Sequence, residues 1–385
     1  MTALAGAGCN APGNASLTVK SYYTKTPDGI TLALRRYQPG QLSSDKDPVI
    51  LCHGLSYNQL FWDLKDEVSL ARYLSQSGYD VWSLSLRGAC PSSQPLTSAL
   101  RKLGHFNLEP QVLLTLRKRW ADMKMTDWSV DDHIDHDVPT AISFVRAETG
   151  RRQVHWIGHS MGGMIMFAYL GQQNPKVTRQ IKSFVAAAVP MAVFHPLSKP
   201  FRFLLEAKKA LKIGSKIVGS SAPAAAGAIF GDINTPMDKL FYNSSNMDDN
   251  IIRTMFQKAQ EEISPSQFKQ LLDMVRNERF RSLNKKVDYT AVLPAVTVPT
   301  CFLVGTVDNM ATPGAVRFAY RQIHSSDKQF FLFGRVNSHR RDYGHDDIIL
   351  GKHARQEVYP TILDWLDQHK RKPHEDELML QPARN

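Results

Sequence analysis

Gly158-His159-Ser160-Met161-Gly162 constrains this chain more than any other stretch. The pentapeptide has the form G-x-S-x-G and lies between two apolar runs of different character. Before it, Val154-His155-Trp156-Ile157 has the length and the β-branched or aromatic content of a short buried strand. After it, Met161 to Leu170 combines small residues with Met164, Ile165, Met166 and Phe167, which suits a buried helix. A strand that turns straight into a helix at a serine holds the hydroxyl at the tip of a bend. The pattern expects Gly158 and Gly162 to permit that bend. The helix N-terminus beneath Ser160 carries a positive partial charge, and the amide of Met161 is there to face a developing anion. Those are the parts that a serine nucleophile needs.

With 23 glycines in 385 residues, a bare G-x-S-x-G carries little weight alone. Its context carries more. Upstream, Pro48-Val49-Ile50-Leu51-Cys52 reads as a buried strand running into His53-Gly54-Leu55. A glycine at a strand end lets backbone amides turn into a cavity, so Leu55 and Met161 are expected to supply the two oxyanion donors. Downstream, Cys301-Phe302-Leu303-Val304 is an apolar strand ending in Gly305-Thr306-Val307-Asp308, and Phe330-Phe331-Leu332-Phe333 is another. A polar loop with His339 and His345 follows, then a helix expected from about Ile348 to His369. Ser160, Asp308 and His345 thus come in the chain order Ser, Asp, His, each past the end of a different strand. The nucleophile needs a base, and the base needs a carboxylate to fix its tautomer. His339 also follows the last strand, but Arg340 and Arg341 beside it suit a solvated loop.

On these residues the chain resembles the α/β-hydrolases over nearly all its length outside an inserted cap. More narrowly it is similar to the acid-lipase branch of esterases. The matching stretches are Gly78-Tyr79-Asp80-Val81-Trp82 with Leu86-Arg87-Gly88, Asp137-Val138-Pro139-Thr140-Ala141-Ile142, Thr149-Gly150 and the Gly158-His159-Ser160 elbow. At the end come Asp308 with Ala311-Thr312-Pro313, then Gly344-His345-x-Asp347 and Gln356-Glu357-Val358-Tyr359. Met161 departs from the Gln common at that place in animal acid lipases. The stretch from about Met191 to Pro299 matches no such pattern, so no particular substrate carries over. A long insertion there usually forms a lid over the nucleophile in this fold.

Length and composition fit one large α/β domain with an insertion: 43% apolar content in 385 residues, no linker of Gly, Ser or Pro, and no internal repeat. Strands alternating with helical stretches predict a mostly parallel, doubly wound sheet with a helical cap. Leu17 to Tyr23 and Ile30 to Tyr37, around Pro27-Asp28-Gly29, predict an antiparallel hairpin that leads into it. The expected boundaries are a tail over 1–16, a core over 17–191 and 299–370, a cap over 192–298 and a polar tail over 371–385. Residues 89 to 127 form a smaller interruption with a basic Arg117-Lys118-Arg119 cluster.

Of the four cysteines, Cys52 and Cys301 fall in core strands, and Cys9 and Cys90 complete no disulfide or metal spacing. Asp131-Asp132-His133-Ile134-Asp135-His136-Asp137 invites a metal reading, because on a helix His133 and Asp137 share a face. Acidic residues are equally at home at a helix start, and the resemblance implies no metal there. No metal and no cofactor are expected. The net charge of +11 comes without any nucleic-acid-binding signature, so nucleic acid is not an expected partner. Between Lys199 and Lys216, Leu204, Ala207 and Leu211 share one helical face while Lys209, Lys212 and Lys216 share the other. That pattern fits a lid helix, with transient contact with an anionic lipid surface as its functional reading. Leu4-Ala5-Gly6-Ala7-Gly8-Cys9 is a faint lipoprotein-like start without a basic or adequately apolar lead. A cytoplasmic protein is expected, with an exported or lipoprotein form the alternative if the start is truncated.

The expected chemistry is ester hydrolysis through an acyl-enzyme on Ser160, with His345 as base, Asp308 as its partner, and a small-molecule or lipid-like ester as substrate. Two alternatives stay open. An acyltransferase would use the same acyl-enzyme, and a non-catalytic ligand-binding protein would share the fold.

Overall fold

The chain enters its sheet through a hairpin, β1 (Thr18–Lys25) and β2 (Thr31–Gln38), paired antiparallel from Thr18 opposite Gln38 to Lys25 opposite Thr31. Gly29, at φ +88°, makes the turn between them. The structure is a computed structural model and describes residues 17–89, 127–172, 175–192, 238–261 and 263–371. The other strands are β3 (Val49–Cys52), β4 (Val81–Ser85), β5 (Val154–His159), β6 (Ile181–Ala187), β7 (Thr300–Gly305) and β8 (Lys328–Phe333). They complete an eight-stranded sheet in the order β1-β2-β4-β3-β5-β6-β7-β8. β2 meets β4 antiparallel, and every later pair is parallel.

Strands covered on both faces read as unbroken apolar runs. All four residues of β3 and all six of β5 and of β7 are buried. Full burial of a Val, Ile or Leu side chain stabilises by about 1.5–3 kcal/mol, so Val49, Ile50 and Leu51 tie β3 to the centre of the sheet. The helices are α1 (Leu70–Gln76), α2 (Val138–Thr149), α3 (Met161–Gln172), α4 (Pro265–Asn277), α5 (Pro313–Gln322) and α6 (Tyr359–Gln368), besides shorter turns. α3 packs on β5 and β6, and α5 packs on β7 and β8. Because β3 lies between β4 and β5, the loops after β3 and β5 part at a topological switch point. Open α/β sheets carry their ligand sites in that crevice.

Between β6 and β7 the described residues make helices and no strand of the sheet. α4 starts where its sequence says it should. Ser264 caps it in a reciprocal box with Gln267, and Pro265 occupies the first turn, where its missing N–H costs nothing.

The single helix expected from Ile348 to His369 is three pieces: Asp347–Leu350, Ala354–Glu357 and α6. Gly351 ends the first piece with extended backbone, and a Cβ there would lie 2.4 Å from the Asp347 carbonyl oxygen. Pro360 then sits in the first turn of α6, where it starts a helix rather than continuing one.

Cys52 and Cys301 are buried and unbridged, and burial pushes both thiols up, away from reactivity. No helix among the described residues is long and apolar enough to cross a membrane. The expectations for Cys9, Cys90, Arg117-Lys118-Arg119, Lys199 to Lys216 and the tail over 1–16 lie outside the described residues, as do most of the segment 89–127 and the tail beyond Arg371.

Candidate active site

β5 runs directly into α3, and the bend between them falls on one residue. The turn expected of Gly158 and Gly162 is made by Ser160 itself, at φ 51°, a left-handed conformation unusual for a non-glycine residue. The glycines serve close approach instead. A Cβ on Gly162 would lie 2.3 Å from the Cys52 carbonyl oxygen, and one on Gly158 would lie 2.5 Å from the Gly162 backbone. Ser160 N–H donates to Ala187 O at 2.9 Å, and Trp156 Nε1 donates to Gly162 O at 3.0 Å. The elbow is thereby pinned to β6 and to its own strand.

Ser160 Oγ lies 2.9 Å from His345 Nε2, and His345 Nδ1 lies 3.0 Å from Asp308 Oδ2 and 3.2 Å from Oδ1. A carboxylate only accepts, so Nδ1 carries the proton and Nε2 is left to accept from the serine hydroxyl. All three residues are buried. Asp308 is itself held by the N–H groups of Met310 (2.9 Å) and Ala311 (2.7 Å). Burial alone would lower the affinity of His345 for a proton. Asp308, through charge and hydrogen bond, outweighs that, and with Asp346 and Asp347 nearby it raises the imidazole above its ordinary value.

His339 is elsewhere. Its ring packs against Phe333 at 4.9 Å, and its Nδ1 lies 3.1 Å from Gly334 O.

Gly54 lies against the elbow, where an added Cβ would be 3.1 Å from both Ser160 Cβ and His159 Nδ1. Leu55 follows Gly54 in the chain, and Met161, the first residue of α3, follows Ser160. His53 fixes the peptide between Gly54 and Leu55. Its Nδ1–H donates to Gly54 O at 2.8 Å, and its Nε2 accepts from Leu86 N–H at 3.2 Å. In a planar trans peptide the Leu55 N–H points opposite to that carbonyl, away from the His53 ring. Burial holds His53 neutral, with its pKa lowered to about 4, as this tautomer requires.

His159, expected only as part of the elbow, is fully buried and does more. It stacks on Phe61 at 4.8 Å, and its Nε2–H donates to the His345 carbonyl at 2.9 Å. Burial holds it well below the usual histidine range, so it stays neutral.

Three residues that the sequence motifs did not single out complete the surroundings. Tyr57 Oη donates to Asp346 Oδ2 at 2.7 Å, joining the loop after β3 to the residue after His345. Gln267, from α4, donates through Nε2 to His133 Nε2 at 2.6 Å and comes within 3.8 Å of Met161 Sδ. Only closeness in the chain, Tyr57 two residues after Leu55 and Asp346 next to His345, hinted at the first two. For Gln267 the signal was its capping position alone.

The acidic run over 131–137 is committed to structure. His133 Nδ1–H donates to Asp137 Oδ2 at 2.7 Å within a π-helical turn, while Asp132 pairs with Ser129 in a capping box. Arg87 donates to both Asp137 oxygens through its backbone N–H and Nε, and its two terminal nitrogens grip Asp28. Removing one partner of such a buried pair costs about 3–5 kcal/mol. One ring nitrogen each of His159 and His345 and one oxygen of Asp346 lie within 4.8 Å of one another, close enough for a cation. Any cation bound through His345 would displace its bond to Asp308 or to Ser160.

A strand-turn-helix serine after β5, an acid after β7 and a histidine in the loop after β8 of a mostly parallel sheet point to the class of this chain. It belongs to the alpha/beta hydrolase fold family, whose model matches residues 47–331. It is 24% identical to human lipase member K over 91% of this chain and 88% of that protein. It is 31% identical to lysosomal acid lipase/cholesteryl ester hydrolase of Macaca fascicularis, over 45% of this chain and 40% of that one. Among solved structures, an esterase from Exiguobacterium antarcticum superposes with a TM-score of 0.53 at 14% identity, covering 90% of this chain and 98% of that one.

Proposed function

We propose that the chain is a serine carboxylic-ester hydrolase that works through an acyl-enzyme on Ser160. The observation that carries this reading is the pair of contacts Ser160 Oγ to His345 Nε2 at 2.9 Å and His345 Nδ1 to Asp308 Oδ2 at 3.0 Å. In this reading His345 takes the hydroxyl proton as Ser160 attacks the ester carbonyl, and the amides of Leu55 and Met161 hold the oxyanion. His345 then returns the proton to the leaving alcohol. Water, deprotonated by the same nitrogen, attacks the acyl group and frees the acid. Asp308 keeps the ring oriented throughout and stabilises the imidazolium. The relatives named as lipases support esters as the substrate class.

The proposal includes a core over 17–191 and 299–370 with a cap over 192–298. In the described part of that cap, residues near α4 and Gln260 touch the site's own loops, which supports a covering role. The test is a panel of p-nitrophenyl esters of increasing acyl length on the purified chain, repeated with added alcohols. Saturable release that falls steeply at one chain length supports the reading and gives its acyl range. Product ester in place of free acid would make the chain an acyltransferase, and no turnover of any ester would reject hydrolysis.

A further inference from the structure

Asp346 follows His345 directly and is fully buried, yet among the described residues only one of its carboxylate oxygens is satisfied. Oδ2 accepts from Tyr57 Oη at 2.7 Å. Oδ1 has no hydrogen-bond partner among the described residues and lies 3.8 Å from His159 Nε2, whose proton goes to the His345 carbonyl. An oxygen of this carboxylate and ring nitrogens of His345 and His159 all lie within 4.8 Å of one another. A buried carboxylate oxygen left unpaired is costly, and unpaired groups of this kind collect where they act on a neighbour.

The only group in this cluster whose charge must change during the proposed reaction is His345. We propose that Asp346, oriented by Tyr57, is a positioning residue that places a second negative charge beside His345 and so sets the pH at which that base becomes available. This rests on the reading of Ser160, Asp308 and His345 as catalytic. At a separation under 5 Å in a dry interior, an ionised carboxylate stabilises the imidazolium much more than it would in water.

Tyr57 gives the arrangement a second end. Its backbone bridges to Gln260, Glu261 N–H donates to Ser56 O at 2.7 Å, and Asn58 N–H donates to Ala259 O at 2.9 Å. The loop that carries Leu55 is thus strapped to the segment before α4, and the Tyr57 hydroxyl joins that strap to the residue beside the base. Asp346 faces Tyr57 from the loop after β3, His159 from β5, Asp308 from the end of β7, and His345 and Asp347 from its own loop. Tyr242 stands beyond Tyr57. Burial pushes the Asp346 carboxyl up to about 7, with His345 and the Tyr57 hydrogen bond pulling it back down.

The signs follow. Asp346→Asn removes a negative charge next to His345, so the imidazole loses its proton more easily. The acid limb of kcat/KM should move down by roughly one pH unit. Tyr57→Phe withdraws the hydroxyl that favours the ionised carboxylate, so the limb should move the same way by less. The experiment measures kcat/KM of the full chain from pH 4 to 9 on a soluble p-nitrophenyl ester, with product read after quenching to one fixed pH. Melting curves accompany each variant. A purely structural role would lower activity evenly across pH or lower the melting temperature, without moving the limb. Apparent pKa values equal to wild type in folded Asp346→Asn, or in Tyr57→Phe if the first does not fold, would overturn the proposal. A wild type that neither turns over esters nor reacts with a fluorophosphonate would overturn instead the function on which it rests.

Discussion

Gly305, the last residue of β7, faces the backbone of Tyr343 so closely that a Cβ on it would lie 2.1 Å from the Tyr343 carbonyl oxygen. The same carbonyl accepts from Val307 N–H at 3.0 Å, one residue before Asp308. The strand end that carries the acid and the loop that carries the base are therefore held together by backbone at Gly305, besides the side-chain contacts Thr306 Oγ1 to Asp342 Oδ1 and His345 Nδ1 to Asp308. Asp347 holds the loop from its other side. Its oxygens accept from the N–H groups of Gly344 and Asn243 and from Asn246 Nδ2 at 2.8 to 3.0 Å.

Gly305→Ala should displace Tyr343 and with it His345. Misplacement by about 1 Å costs on the order of 10²-fold in rate. The variant should lose most of its kcat, with KM changed little, in steady-state assays on a soluble ester. Unchanged kcat in a folded Gly305→Ala would mean that the loop is positioned by other contacts.

The two histidines after β8 should behave oppositely. His345→Ala removes the group 2.9 Å from Ser160 Oγ and should lower kcat by several orders of magnitude. His339→Ala trims a ring packed on Phe333 and should leave turnover within a few fold. Parallel initial-rate measurements on both variants check this, and the reverse pattern would transfer the role to His339.

Asp308→Asn keeps size and shape and removes the acceptor of the His345 proton. The imidazole loses the partner that fixes its tautomer, and kcat should fall by up to ~10⁴ while the melting temperature stays close to wild type. Near-normal turnover in this variant would mean that the carboxylate comes from elsewhere.

That Ser160 and Asp308 come close together could be read from the apolar runs just before them, whereas His345 lies twelve residues beyond β8 and was set apart from His339 by the Gly344-His345-x-Asp347 stretch. The strands read around them, β3, β5, β7 and β8, were legible for the same reason, to within one or two residues at their ends. The role of Gly162 was not, since its constraint comes from carbonyls of Cys52 and His53 on a neighbouring strand. The break at Gly351 was hidden by apolar residues on both sides that continue a helical pattern across it. The Tyr57–Asp346 bond spans 289 positions. No local period encodes a contact of that range, and closeness to Leu55 and His345 acquires meaning only once the sheet brings the two loops together.

The most direct test of the account is covalent. Purified wild type and Ser160→Ala are treated with a fluorophosphonate, digested and read by mass spectrometry, with ester turnover measured on the same samples. Wild type should carry an adduct on the peptide that contains Ser160, while the variant should carry none at any serine, lose nearly all turnover and melt like wild type. Labelling or ester hydrolysis that persists at the wild-type level in Ser160→Ala would contradict it.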